Sequence, residues 1–174
     1  MDLARGEYQD AIDEDKEDYK AYVNYASNIL QKFDTKFGLK GRKKIIPEML
    51  IKPEEEDFVE LQKCIKYLEI AKGLSATFED VYFNFGKAYM YKFLLESKCN
   101  EENLKEGLRY AETTQVLSKN NVSCIYVMRN LYECSKDISK ACYFNEMLNG
   151  RGDSKSIAQL YIDYMKRKKN TRIK

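Results

Sequence analysis

The sequence contains no histidine and no tryptophan, and only two of its 174 residues are proline, Pro47 and Pro53. Without histidine, neither a Ser-His-Asp triad nor a Cys-His pair can form, and every zinc site that needs a His ligand is excluded. The scarce proline and only eight glycines argue against a turn-dense sandwich or barrel. These absences favour a mostly helical protein that is not an enzyme.

Long apolar runs and secretory features are also missing. No run approaches the roughly 18 apolar residues of a membrane span, and the acidic start of the chain lacks the apolar core of a signal peptide. The five cysteines include no C-x-x-C pair, so we interpret them as small apolar residues in a reducing compartment. We therefore expect no membrane partner and a cytoplasmic location, with the nucleus as the alternative.

What the chain does contain is helical periodicity. Apolar residues recur at three- and four-residue spacing in seven blocks, and alternating strand patterns are missing. The blocks begin near Tyr19, Leu61, Tyr82, Leu104, Ile125, Ile138 and Ile157. With 44% hydrophobic and 33% charged residues, the chain is long enough to bury a core as one all-α domain.

The segment from Asp34 to Asp57 interrupts this periodicity. It holds both prolines and runs from a basic, glycine-containing part to the acidic run Glu54-Glu55-Glu56-Asp57. We predict an irregular insertion over 34–57, and the alternative is a short helix from Pro47 to Ile51. The acidic run fits no calcium loop, and we interpret it as anions at a helix N-terminus.

One helical hairpin carries the motif Y-x2-F-G-x2-Y, formed by Tyr82, Phe85, Gly86 and Tyr89. Its second helix ends near Asn120-Asn121. This hairpin resembles a tetratricopeptide repeat (TPR), in which an aromatic residue, a small residue and a tyrosine recur at these positions. The interval from Gly107 to Ala141 is 34 residues, the period of that family.

The resemblance implies that Gly86, Gly107, Ala111 and Ala141 occupy small positions where the two helices of a hairpin approach closely. Arg129 departs from the family, which has glycine or alanine at that position, and the end-of-unit prolines are missing. The fold implied is a right-handed TPR-like solenoid of about three hairpins over residues 1–165, with a capping helix at 153–169 and a basic tail at 166–174. The alternative is an unrelated helical bundle.

The resemblance also implies a concave face, lined by the first helix of each hairpin, that binds a peptide or helix of another protein. The residues expected there are Val23, Ser27, Phe83, Lys87, Met90, Tyr91, Tyr126, Asn130 and Glu133. The alternative is that these aromatic residues fill the interior. Only Lys87 and Asn130 resemble the family's clamp for acidic C-termini, so we do not predict that ligand.

Two basic clusters form the candidate polyanion-binding residues, because Lys and Arg bind phosphates by charge without reading a sequence. They are Lys36, Lys40, Arg42, Lys43 and Lys44 in the insertion, and Lys166, Arg167, Lys168, Lys169, Arg172 and Lys174 at the C-terminus. The alternative is a solubilising loop and tail.

The sequence has no phosphate-binding loop, nucleophile elbow or metal-ligand cluster. We therefore expect no cofactor, no metal and no small-molecule substrate. The predicted function is a non-catalytic adaptor or assembly factor that binds a protein partner, with RNA or a ribosome as a second contact. The alternative is a factor that binds primarily RNA or the ribosome through its basic segments.

Overall fold

The computed structural model describes residues 2–37, 53–96, 100–118 and 122–149. These ranges contain seven helices and no strand, which confirms the all-α prediction for this part of the chain. The helices are α1 (Asp2–Glu14), α2 (Tyr19–Lys36), α3 (Glu55–Leu74), α4 (Glu79–Leu95), α5 (Glu101–Leu117), α6 (Val122–Cys134) and α7 (Ile138–Asn149). The predicted capping helix at 153–169 and tail at 166–174 lie outside the described residues.

Side-chain caps fix where two of the helices begin. Asp18 Oδ1 accepts hydrogen bonds from the backbone nitrogens of Lys20 at 2.9 Å and Ala21 at 3.2 Å. Asn100 Oδ1 accepts one from the backbone nitrogen of Glu102 at 3.0 Å. These acceptors satisfy N–H groups that have no partner inside the helix, and so they set the first residues of α2 and α5.

The predicted insertion is shorter at both ends than its 34–57 boundaries, because α2 continues to Lys36 and α3 begins at Glu55. Lys36 Nζ joins the two helix ends, lying 2.8 Å from Asp57 Oδ1 and 2.7 Å from Glu54 Oε2. Asp57 Oδ2 also accepts from the Glu54 backbone nitrogen at 2.8 Å. The interpretation of this acidic run as helix N-terminal anions is confirmed.

The helices pack as consecutive antiparallel neighbours. α2 packs on α3, α4 on α5 and α6 on α7, giving three hairpins, and α1 packs against α2. The first helix of each hairpin also contacts the first helix of the next, since α2 contacts α4 and α4 contacts α6. The outward side chains of α2, α4 and α6 therefore belong to neighbouring helices of one surface.

Two glycines let α4 and α5 approach closely, as the sequence predicts. A Cβ added to Gly107 would lie 3.0 Å from Leu131 Cδ2 and 3.5 Å from the backbone oxygen of Gly86. A Cβ added to Gly86 would lie 3.5 Å from the Ala111 Cβ. A bulky side chain at Gly107 would have no room between α5, α4 and α6.

The core runs through all three hairpins and is rich in aromatic rings. Phe85 and Tyr110 stack at 4.3 Å between their centroids, which ties α4 to α5. Cys64, Cys124 and Cys134 are buried, which confirms the interpretation of these cysteines as core residues. Burial raises the pKa of the Cys64 thiol to about 12 and that of Cys124 to about 11, so both stay protonated at neutral pH.

Candidate functional site

The nine residues predicted to line a binding face all lie on the first helices α2, α4 and α6, but their exposure differs. Val23, Met90 and Tyr91 are buried, so they belong to the core and not to the exposed surface. Ser27 and Tyr126 are exposed, with Tyr126 47% accessible. The half-buried members are Phe83, Lys87, Asn130 and Glu133.

Aromatic packing explains why Tyr91 points inward. Its ring meets Phe33 edge-on at 5.3 Å and lies 6.2 Å from Phe37, and both partners belong to the C-terminal end of α2. For this residue the alternative interpretation, in which the aromatics fill the interior, is the one that holds. The remaining outward residues, Ser27, Phe83, Lys87, Tyr126, Asn130 and Glu133, are referred to below as the first-helix face.

An ion pair links α2 to α4 beneath this face. Lys87 Nζ lies 2.6 Å from Asp34 Oδ2, and the Tyr91 hydroxyl donates to the other oxygen of the same carboxylate. Burial, together with the negative charge and hydrogen bonding of Asp34, raises the pKa of the Tyr91 hydroxyl. The charge of Lys87 is thus paired with a carboxylate of the protein itself. The sequence alone does not indicate its pairing with Asp34, because 53 residues separate the two.

On α6 a buried cation lies next to this face. Arg129 is only 6% exposed, and its guanidinium carbon lies 5.2 Å from the ring centroid of Tyr126. Arg129 Nε and Nη2 donate to a single oxygen, Asn130 Oδ1, at 3.1 and 2.8 Å. Burial lowers the pKa of Arg129 and outweighs the opposing attraction of Glu133.

Of the eleven residues predicted to bind a polyanion, only Lys36 lies in the described residues. Its ion pairs with Asp57 and Glu54 raise its pKa and occupy its charge. The other ten, Lys40, Arg42, Lys43, Lys44, Lys166, Arg167, Lys168, Lys169, Arg172 and Lys174, lie outside the described residues. Lys36 is therefore a link between helix ends in this structure.

The charge of the described residues also differs from that of the whole chain. The whole chain has 30 Lys and Arg against 28 Asp and Glu, whereas Asp and Glu outnumber Lys and Arg in the described ranges. The helices of these ranges therefore have an acidic balance, which repels nucleic acid. The described ranges therefore offer no net positive charge to a polyanion.

A second polar cluster, which the sequence did not indicate, joins α1, α2 and α3. Glu60 Oε1 lies 2.7 Å from Arg5 Nη1 and 2.9 Å from Lys32 Nζ, and Arg5 Nε donates to Asn28 Oδ1 at 3.0 Å. Burial raises the pKa of Glu60, but the hydrogen bonds from Lys32 and Arg5 oppose it and leave that pKa lowered overall. These contacts serve stability, because they hold three helices together.

The described residues contain no metal-ligand cluster. No group of three or more Cys, Asp or Glu side chains there is arranged to hold a metal ion. A shallow groove of about 280 Å³ lies between α3 and α4, lined by Phe58, Leu61, Ile65, Lys66 and Lys92 among others. Its polar lining residues are Gln62, Lys66, Lys92 and Glu96.

Comparison with known proteins returned no match, since no family model, no curated protein and no solved structure resembles the chain at a significant level. Within the described ranges, every helix is too short or too polar to cross a membrane.

Proposed function

We propose that this chain is a TPR-like stack of helical hairpins that acts as a non-catalytic adaptor. In this proposal the first-helix face binds a peptide or helix of a protein partner in the cytoplasm. The observation that supports it most is the continuous contact of α2 with α4 and of α4 with α6. A surface shared by three neighbouring helices can bind an extended or helical segment along several turns.

The exposure of the face residues supports the same proposal. Tyr126 is 47% accessible although it is a large aromatic residue, and tyrosine is enriched at protein interfaces because its ring is apolar and its hydroxyl polar. Phe83 adds an apolar side chain on the neighbouring helix α4, and Asn130 adds a polar one on α6 itself. Such a mixture suits a protein ligand better than a polyanion.

Binding to RNA or a ribosome stays a prediction from the basic segments, because the described residues add no support for it. The acidic balance of these helices and the ion pairing of Lys36 favour the protein partner as the primary one.

The proposal is tested by quantitative capture from native lysate with the full chain, with and without nuclease. Ser27→Arg and Tyr126→Ala each change an exposed face residue without removing a described hydrogen bond. We expect either variant to reduce capture of the principal protein species by about tenfold, the scale of a hot-spot substitution. Nuclease should leave that capture unchanged.

Tyr143→Ala is the matched control, because Tyr143 is 57% exposed but lies on α7, outside the face. Circular dichroism verifies that all variants keep their helicity. Equal capture by wild type, Ser27→Arg and Tyr126→Ala would refute the proposal. Loss of capture upon nuclease treatment would instead establish the RNA-dependent alternative.

A further inference from the structure

Arg129 is a buried cation for which the described residues provide no ion pair. The salt bridges of these residues include none to Arg129, although its side chain is almost completely removed from water. A guanidinium has five N–H donors, and the two that are used both donate to the neutral amide of Asn130. Removing a charge from water is costly unless a counter-charge compensates it.

Arg109 also stacks on a tyrosine, and its charge is compensated. The Arg109 guanidinium carbon lies 4.3 Å from the Tyr110 ring, and Arg109 Nη2 lies 2.6 Å from Glu106 Oε2. Its side chain is 58% exposed. Arg109 is therefore exposed to solvent and paired with a carboxylate, whereas Arg129 is buried and has no ion pair among the described residues.

The position of Arg129 in its helix directs the guanidinium to the first-helix face. It stacks on Tyr126, which precedes it by one turn, and hydrogen bonds to Asn130, which follows it. Both neighbours are members of that face, and Tyr126 is exposed. A carboxylate that approaches beside Tyr126 can thus reach the unused N–H groups of Arg129.

We propose that Tyr126, Arg129 and Asn130 form a subsite for the carboxylate of an Asp or Glu side chain on the protein partner, an inference that rests on the proposed function. The guanidinium matches a carboxylate in a planar, two-bond geometry, and the aromatic face beside it excludes water. Replacement of the amide oxygen by a charged oxygen strengthens the hydrogen bonds. The acidic partner supplies the counter-charge that the described residues do not provide as an ion pair.

The first test titrates the full chain with N-acetylglutamate α-amide and follows the Nε–Hε NMR signal of Arg129 and the side-chain amide of Asn130. We expect saturable shifts at both signals and none at Arg109. N-acetylglutamine α-amide, which has the same shape without the charge, should leave them unmoved. Absence of a saturable shift at Arg129, or an equal response to the glutamine probe, would overturn the inference.

Arg129→Met and Arg109→Met remove the same charge from two tyrosine-stacked positions. We expect Arg129→Met to abolish the response of the Asn130 amide and to leave the melting temperature equal or higher, because it removes a buried charge that has no ion pair among the described residues. Arg109→Met should keep the Asn130 response. A marked fall in melting temperature for Arg129→Met would assign the residue a structural role and overturn the inference.

The two Asp side chains that follow α7 in the sequence are tested with Asp153→Asn combined with Asp163→Asn. If one of these groups already occupies Arg129, the probe would bind only to this double variant, and the inference would be wrong.

Failure of the carboxylate subsite can be distinguished from failure of the proposed function. If Ser27→Arg reduces partner capture while Arg129→Met does not, the face binds the partner but the carboxylate subsite fails. If the probe binds Arg129 while no face variant alters capture, the reverse holds.

Discussion

The hairpins α2–α3 and α4–α5 are closed by different chemistry. In α4–α5, Gly86 and Gly107 remove side chains from the contact, and a Cβ at residue 107 would lie 3.5 Å from the backbone oxygen of Gly86. In α2–α3, ion pairs add to the apolar contact: Glu60 on α3 pairs with Lys32 on α2 and with Arg5 on α1, and Lys36 pairs with Asp57. The first contact should tolerate no added volume, and the second should depend on charge and pH.

The largest expected effect is that of Gly107→Leu. Its side chain would collide with Leu131 and Tyr89 inside a packed interface, and such overpacking costs about 3 kcal/mol. Urea unfolding measures the loss of free energy of unfolding. Gly6→Leu is the matched control, because a Cβ at Gly6 in helix α1 meets nothing within 4 Å. It should be neutral or stabilise the protein by up to about 1 kcal/mol. Equal losses in both variants would refute the close-packing account.

The charged hairpin should respond to Glu60→Gln. The substitution leaves Arg5 and Lys32 without their shared counter-charge in a site where the glutamate is only 13% exposed, and we expect a loss of about 2 kcal/mol. The control is Glu106→Gln, which breaks the more exposed pair with Arg109 and should cost less than about 1 kcal/mol. Both values come from urea unfolding at pH 7. If Glu60→Gln lowers the free energy of unfolding no more than Glu106→Gln does, the Glu60 cluster adds nothing to stability.

These two hairpins also show what a sequence can predict. The small residues of α4–α5 can be identified from the sequence, because Gly86 and Gly107 stand in register with apolar neighbours at helical spacing. The ion pairs of α2–α3 do not, because their members lie far apart in the chain, as with the 55 residues between Arg5 and Glu60. For the same reason the predicted bounds of the insertion are too wide. The ion pair between Lys36 and Asp57 joins two helix ends inside a segment whose composition looks irregular.

The candidate site was predictable as a set of helix positions, but not as a surface. The repeat register placed all nine residues on α2, α4 and α6, yet burial removes Val23, Met90 and Tyr91 from the face. Arg129 stood out in the sequence only as a departure from a small residue. Its burial and the missing ion pair depend on neighbours that the register does not specify. Helix α1 was not predicted, because its apolar residues Tyr8, Ala11 and Ile12 are few among acidic ones.

A smaller effect on stability is expected from the different N-termini of α2 and α4, the first helices of the two hairpins. α2 starts with the side-chain cap of Asp18, whereas α4 starts after Phe78, which provides no side-chain hydrogen bond. Asp18→Ala should therefore destabilise the protein by about 1 kcal/mol in thermal or urea unfolding. Asp10→Ala, at an exposed position of α1, removes the same charge without a cap and should change the free energy of unfolding by less than about 0.5 kcal/mol. Equal effects would show that the cap contributes only charge.

The smallest expected effect is the pH dependence of the charged hairpin. The pKa of Glu60 is lowered in the folded protein, so its ion pairs stabilise the fold above the unfolded pKa of about 4.5 and lose that contribution as the pH falls through the folded value. Unfolding free energies measured from pH 7 down to 3 should decline, and Glu60→Gln should remove part of the decline. An identical pH profile for wild type and Glu60→Gln would contradict the assignment.

The central claim is that α2, α4 and α6 present one partner-binding face, and site-specific photocrosslinking tests it most directly. A benzophenone amino acid is introduced at Ser27 on α2 or at Tyr126 on α6, and at Val59 on α3 as an exposed control. The account predicts that Ser27 and Tyr126 crosslink to the same protein species in native lysate and that Val59 does not. Crosslinking to that species at Val59 as strongly as at the face, or different species at Ser27 and Tyr126, would contradict it.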